Sequence, residues 1–214
     1  MEAFYDALDL LSGMIRIPSF SREENDVADY LFSQWTKAGH KVNRAGNNLW
    51  IVAPGFELGK QTILLNSHID TVKPVAGWSK DPFAADAGED DRLYGLGSND
   101  AGASVVSLYE AFTILSKKSQ PSNLIFLASC EEEVSGKNGL ELALAELPPI
   151  HFAVVGEPTE MQPAVAEKGL MVLDCIALGK AGHAARNEGV NAILLAMKDI
   201  EWFTTYQFPE KSDF

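Results

Sequence analysis

Apolar residues recur at helical spacing from the start of the chain. Phe4, Ala7, Leu8, Leu11, Met14 and Ile15 share one face, and the run stops at Pro18, whose predecessor is biased away from helix. Ser21-Arg22-Glu23-Glu24 has the form of a capping box and predicts a second helix through Val27, Leu31 and Trp35 to a terminating Gly39. The pattern then turns extended. Strands are predicted at 40–45, 48–53 and 61–67; in the last, Thr62-Ile63-Leu64-Leu65 shows no alternation, as a strand covered on both faces should. From Thr71 to Ser98 Gly, Pro, Asp and Lys dominate, with one short strand near Leu93-Tyr94. A loop of that length in a compact domain is usually functional. A helix at 102–118 (Val105, Val106, Leu108, Tyr109, Phe112, Leu115), a strand at 123–129, a helix at 137–146 and a strand at 151–156 complete a β-α alternation. That alternation predicts an α/β fold with a doubly wound, mostly parallel sheet.

After Pro163 the character changes. Residues 170–178 read as a strand, Gly179-Lys180-Ala181-Gly182-His183 as a loop whose glycines let it bend, and 189–206 as a helix. One strand and one helix cannot bury their own apolar faces. Residues 1–165 are therefore expected to form one domain and 166–214 the opening of a second, unfinished one.

Composition narrows the function. With 214 residues and 46% hydrophobic content, the chain can bury a sizeable core. A formal net charge of −13 argues against nucleic acid or an anionic membrane as partner, since either needs a basic patch. No apolar run approaches a membrane span, and Glu2, Asp6 and Asp9 stand where a secretory signal wants basic and apolar residues. Two cysteines, Cys130 and Cys175, suggest no disulfide framework, so the expected location is the reducing cytoplasm.

The residues able to carry chemistry stand at the ends of the apolar runs. They are His68 and Asp70 after Leu64-Leu65-Asn66-Ser67, Asp100 after Gly97-Ser98-Asn99, Glu131-Glu132-Glu133 after Leu124-Ile125-Phe126-Leu127, and Glu157 after Val154-Val155-Gly156. In an open α/β sheet the carboxyl ends of parallel strands line one crevice, and an imidazole meeting several carboxylates there is a metal site. His68 and Asp70, two apart on a strand, leave from one face, so the carboxylate can orient a ligating imidazole. Taken singly, each has a plainer reading: a polar strand end, an N-cap at Asp100, a solvated acidic run, a turn at Glu157. Their recurrence at successive run ends favours the metal.

Ile17-Pro18-Ser19, Ser67-His68-Ile69-Asp70-Thr71-Val72, Gly95-Leu96-Gly97-Ser98-Asn99-Asp100, Glu131-Glu132-Glu133, Gly156-Glu157-Pro158-Thr159 and Gly182-His183-Ala184-Ala185 follow one another in order. Together they resemble the zinc aminoacyl hydrolases and metallopeptidases that include acetylornithine deacetylase and succinyl-diaminopimelate desuccinylase. The resemblance implies a zinc-exopeptidase-like catalytic domain followed by the start of an inserted α+β lid or dimerisation domain. It makes His68 and Glu157 ligands of one metal, Asp100 the bridging carboxylate, Glu133 a ligand of the second metal, Glu132 the general base and Asp70 the partner of His68. Two zinc ions per complete subunit are implied, with cobalt as an alternative. Two cations acidify water, and a carboxylate outside the ligand set takes its proton. His183 resembles a lid histidine that reaches the partner subunit's site and stabilises the oxyanion. A non-proline cis peptide after Asp100 is also implied.

The chain departs from the pattern at several points. Glu131 replaces the usual Asp, which leaves open a count of base and ligand shifted by one residue, and Leu96 replaces an Arg. Asp100-Ala101-Gly102 stands where Asp-x-Lys-Gly is usual. A late histidine that completes the second metal's ligands in the family has no counterpart. His151 begins the strand that Glu157 follows, roughly 20 Å away at about 3.3 Å per residue, and His40 reads as a surface residue. The 214 residues thus read as the front portion of an enzyme, inactive alone. The implied activity is hydrolysis of a small N-acyl amino acid in arginine biosynthesis, by a homodimer when full length. Succinyl-diaminopimelate desuccinylase, a dipeptidase, or a truncated metal-binding or interaction protein without catalysis are the alternatives.

Overall fold

The computed structural model describes residues 2–88, 91–166, 169–186 and 188–210. Two compact units divide between Met161 and Gln162. The first holds α1 (Glu2–Ile15), α2 (Asn25–Lys37), β1 (Val42–Ala45), β2 (Asn48–Val52), β3 (Thr62–His68), β4 (Asp86–Ala87), β5 (Leu93–Tyr94), α3 (Ala103–Ser116), β6 (Asn123–Ser129), α4 (Leu140–Leu144) and β7 (Phe152–Val155). Its main sheet has the order β1-β2-β6-β3-β7. β6, β3 and β7 run parallel, and β1 and β2 form an antiparallel extension beside β6. β3 pairs on one side with β6, its next strand in the sheet, and on the other with β7. The crossover direction reverses at β3, and its carboxyl end is where an open α/β sheet leaves a crevice. His68 pairs with Ser129 and Asn66 with Val155, so the three strands end together.

Alternation along these strands feeds two apolar layers. Leu49, Ile51, Leu65, Leu124, Phe126 and Ala128 pack with Leu11 and Met14 of α1, Leu31 and Trp35 of α2, and Val105 and Phe112 of α3. On the opposite face Trp50, Leu64, Ile125 and Leu127 meet Ala143 of α4. Helices on both faces explain why β3 and β6 carry apolar residues without a polar face. Trp35 anchors the larger layer, stacked on Tyr109 and edge-on to Phe126, each with centroids 5.2 Å apart. The side chain of Phe4, one of the predicted face residues, lies outside the described residues.

Four expectations are corrected. Ser21 does not cap α2: the helix begins at Asn25 after Glu24, with no side-chain cap, and both candidate capping residues bond elsewhere. The helix expected at 137–146 shortens to Leu140–Leu144. Gly139 lies so close to the Cys130 carbonyl that any side chain there would overlap it. His40 is half-buried against the rings of Tyr109 and Phe112, and burial followed by nearby Lys117 lowers its pKa. No strand forms over 170–178.

In the second unit, Lys180 and Val190 exchange both backbone hydrogen bonds at 2.9 Å. A side chain on Gly179 or Gly182 would strike the backbone of Val190 or Gly189, so these glycines serve a close approach of the two segments. α5 (Ala192–Thr205) is capped by the Asn191 side chain, which accepts the Ile193 N–H. Cys130 is buried in the first unit and Cys175 exposed in the second; both are free thiols. Among the described residues no helix is long and apolar enough to cross a membrane.

Candidate metal centre

The carboxyl end of β3 delivers His68 into the crevice with its imidazole buried. His68 Nδ1 lies 2.9 Å from the Asp70 carbonyl oxygen, and 3.4 Å from the Asp70 carboxylate. A carbonyl only accepts, so Nδ1 carries a proton and donates to it, which turns Nε2 toward the crevice. Nε2 is 3.0 Å from Asp100 Oδ1, 3.7 Å from Glu157 Oε2 and 3.8 Å from Glu132 Oε2. Donor atoms of His68, Asp100 and Glu157 all lie within 4.8 Å of one another.

Three local constructions place these carboxylates. Asp100 sits in a turn over Ser98–Gly102 that is non-helical at Asp100 and Ala101 and contains a cis Asp100–Ala101 peptide, as the resemblance implies. Glu157 follows β7, whose end is tied to β3 by the Gly156 N–H on the Asn66 carbonyl and by the Ser67 hydroxyl on the Gly156 carbonyl, both at 2.8 Å. Gly156 is required because a Cβ would strike Leu108 and Ser104 of α3. After β6 the chain turns through Glu131 in left-handed conformation (φ 54°, ψ 25°) into a single 3-10 turn, Glu132–Val134. Glu131 points its carboxylate at Asn138, accepting from its side chain at 2.9 Å, and packs on Gly136. Glu132 Oε2 instead comes within 3.8 Å of His68 Nε2, and the Glu133 carboxylate feels the charges of Asp100 and His68 while lying outside the group of converging His68, Asp100 and Glu157 donor atoms. The triplet is thus split by its turn into one buried carboxylate and two at the crevice.

Electrostatics follow from this convergence. Burial alone would depress the His68 pKa, but hydrogen bonds and charge from Asp70 and Glu157 raise it to about 11. Burial raises Glu132 and Glu133; His68 offsets part of this, while neighbouring carboxylates add to it. Asp70 lies below the usual carboxylate range: burial pushes it up, but bonds from His68, Glu132, Ser21 and Glu133 outweigh that. One imidazole facing several oxygen donors, with its own ring proton already engaged, is a donor set that suits a divalent cation.

Asp70 does more than face an imidazole. It accepts the Glu132 and Glu133 N–H groups at 3.0 and 3.1 Å and the Ser21 hydroxyl at 2.8 Å. Ser21 was hidden in the sequence because its spacing to Glu24 imitates a cap. Ser67 gave no signal beyond its place beside His68. His151 lies at the other end of β3, its Nδ1 accepting the Thr62 N–H at 3.0 Å, away from the His68 end of the strand. His183 belongs to the second unit, where its Nδ1 accepts the Ala185 N–H at 3.3 Å and its side chain is exposed.

Known proteins resemble the chain at two levels. The sequence profile described as peptidase family M20/M25/M40 matches residues 64–208. Acetylornithine deacetylase of Proteus mirabilis is 34% identical over 149 residues, covering 69% of this chain and 38% of that protein. The Klebsiella pneumoniae acetylornithine deacetylase is 31% identical over 193 residues, covering 88% of this chain and 45% of that protein. The chain therefore spans less than half the length of these relatives. Among solved structures, a tripeptidase from Staphylococcus aureus matches 91% of this chain and 55% of its own at a TM-score of 0.63 and 22% identity. A dinuclear metal-binding M20 peptidase from Bacillus subtilis matches 72% of this chain and 42% of its own, at a TM-score of 0.55 and 14% identity. At those identities the two structures speak for the α/β fold alone.

Proposed function

The chain belongs to peptidase family M20/M25/M40, a family of metal-dependent hydrolases, and on that premise we propose that its site hydrolyses the amide bond of an N-acyl amino acid, as an acetylornithine deacetylase does. The observation that carries this reading is the convergence of the His68, Asp100 and Glu157 donor atoms within 4.8 Å at the end of β3. In this proposal His68, Asp100 and Glu157 would hold one zinc ion, and Glu133 with Asp100 would contribute to a second. When bound, the ions supply Lewis acidity that polarises the amide carbonyl and eases deprotonation of water.

The remaining work falls to the chain's own groups. Glu132, outside the ligand set, takes a proton from the attacking water as the new carbon–oxygen bond forms. It then returns that proton to the amine nitrogen as the carbon–nitrogen bond breaks. In the metal-free chain, burial and neighbouring carboxylates raise its pKa. Asp70 fixes the His68 ring and the backbone beneath Glu132. His183, supplied by a neighbouring subunit of a homodimer, donates to the oxyanion in the same proposal. Cytoplasmic arginine biosynthesis is the setting that accompanies this substrate.

The test is a substrate panel of N-acetylornithine, N-succinyl-diaminopimelate and dipeptides, presented to the protein at the length of its relatives. Glu132→Gln should lower turnover of the preferred substrate by about 100-fold or more while zinc content stays unchanged. Loss of zinc in that variant would move the base assignment to another residue. Absence of turnover on every substrate, with zinc bound, would favour a non-catalytic metal-binding protein.

A further inference from the structure

Four consecutive backbone N–H groups follow β6, and side chains take all four. Cys130 N–H donates to Asn48 Oδ1 at 3.1 Å, Glu131 N–H to Glu24 Oε1 at 3.2 Å, and Glu132 and Glu133 N–H to the two Asp70 oxygens at 3.0 and 3.1 Å. Asn48, Glu24 and Asp70 are each fully buried. Two backbone donors and one side-chain amide satisfy Glu24: its Oε1 also accepts the Arg22 N–H at 2.6 Å, and its Oε2 accepts the Asn47 side-chain Nδ2–H at 3.0 Å. Buried carboxylates are costly unless hydrogen-bonded, and this one offsets that cost through the groups it holds. What it holds is Glu131, the residue in left-handed conformation from which the acidic turn starts.

We propose that Glu24 is a positioning residue for the metal centre: with Asn48 and Asp70 it clamps the backbone of residues 130–133, so that Glu131 turns away and Glu132 and Glu133 face the crevice. The roles of Glu132 and Glu133 rest on the function proposed above; the clamp itself does not. An ordinary turn after a strand would follow its own backbone preferences, and a non-glycine residue disfavours the left-handed region. Here three side chains from α2's approach, β2 and the β3 exit override that preference. Asn48 reinforces the closure by donating to the Asn138 carbonyl at 2.6 Å, while Asn138 Nδ2 donates to Glu131.

Amide hydrogen exchange on the metal-free chain tests the clamp directly. Glu24→Ala should speed exchange at Glu131–Glu133 by about tenfold or more, the scale of losing one charge-assisted hydrogen bond, while the β6 amides stay protected. Glu24→Gln retains an oxygen for the Arg22 and Glu131 N–H groups and should restore most of the protection. Unchanged exchange at Glu131–Glu133, acceleration spread evenly through β6, or a glutamine variant as impaired as alanine would overturn the proposal. Should the alanine variant not fold, Glu24→Asp decides, because it keeps the charge but withdraws the oxygens by one methylene. Faster exchange confined to the turn supports the clamp, and wild-type exchange refutes it.

Cobalt titration followed by visible absorption supplies the second readout. Glu24→Ala should weaken the ion assigned to Glu133 by about tenfold, with the ion at His68 changed less than about threefold. Glu133→Gln run in parallel separates the two claims. If that variant leaves cobalt binding unchanged, the ligand assignment fails, and the exchange data still judge the clamp.

Discussion

Leu64-Leu65-Asn66-Ser67-His68 and Leu170-Met171-Val172-Leu173 are both apolar runs with strand composition, yet only the first is a strand. β3 has β6 on one side and β7 on the other, and its side chains divide between two apolar layers. Residues 170–173 have no pairing partner among the described residues, and Leu170 is 91% exposed. α5 shows the same contrast with α3: Ile193, Met197, Ile200 and Trp202 are exposed, whereas Val105, Val106 and Phe112 are buried. Hydrophobic composition therefore sets what a segment can do, and neighbours set whether it does it. A strand's backbone donors need another strand, and an apolar helix face needs a second surface.

The largest expected difference between the two units lies in truncation of apolar side chains. Phe126→Ala, in the packed layer beside Trp35, should cost about 3–5 kcal/mol of unfolding free energy, whereas Leu173→Ala should stay within about 0.5 kcal/mol. Urea unfolding followed by tryptophan fluorescence measures both, and equal losses would break the comparison by showing that 170–173 is packed in solution.

A smaller effect separates the site's polar core from the apolar one. Asp70→Asn removes a charge that accepts from Ser21, Glu132 and Glu133 and sets an amide N–H₂ against their donors. The expected cost is about 2–3 kcal/mol, with weaker zinc binding measured by calorimetry. A stability loss without any change in zinc affinity would confine Asp70 to scaffolding.

Alkaline pH should produce a change no larger than that, again confined to the first unit. His68 titrates near 6.5 when unperturbed and at about 11 in the fold, so its contribution to the metal-free chain is complete below 6.5 and is lost as pH rises toward about 11. Asp70, whose pKa is lowered, contributes fully above the usual carboxylate range and loses that contribution as pH falls below the range toward its own lower value. Unfolding with chelator present should thus become easier from about pH 7 to about pH 9. Saturating zinc should flatten that limb, because a ligating imidazole is neutral, and binding at neutral pH should release about one proton. No proton release would show that the cation does not displace the His68 Nε2 proton.

Much of this was legible locally. The helix over α1, the α3-β6-α4-β7 alternation and the placement of His68, Asp100, Glu132 and Glu157 at run ends depend on periodicity and on where each run stops, information held within a few residues. The strand expected at 170–178 failed because composition cannot reveal whether a partner is present. The Ser21–Glu24 capping box failed for a related reason. A serine followed three residues later by a glutamate satisfies the local rule, but both side chains found long-range partners, Glu24 reaching the backbone of Glu131 across 107 residues.

The sequence by itself determined which residues could ligate a cation and which strand ends would carry them, since side-chain chemistry and apolar spacing are properties of the chain alone. Only the tertiary structure decided which carboxylates of the acidic triplet face His68. Glu131 is separated from Glu132 and Glu133 by a backbone conformation that their identical side chains cannot encode. That conformation is held by Asn48, Glu24 and Asp70, three buried acceptors that are far from the turn in sequence and meet it only once the sheet has formed.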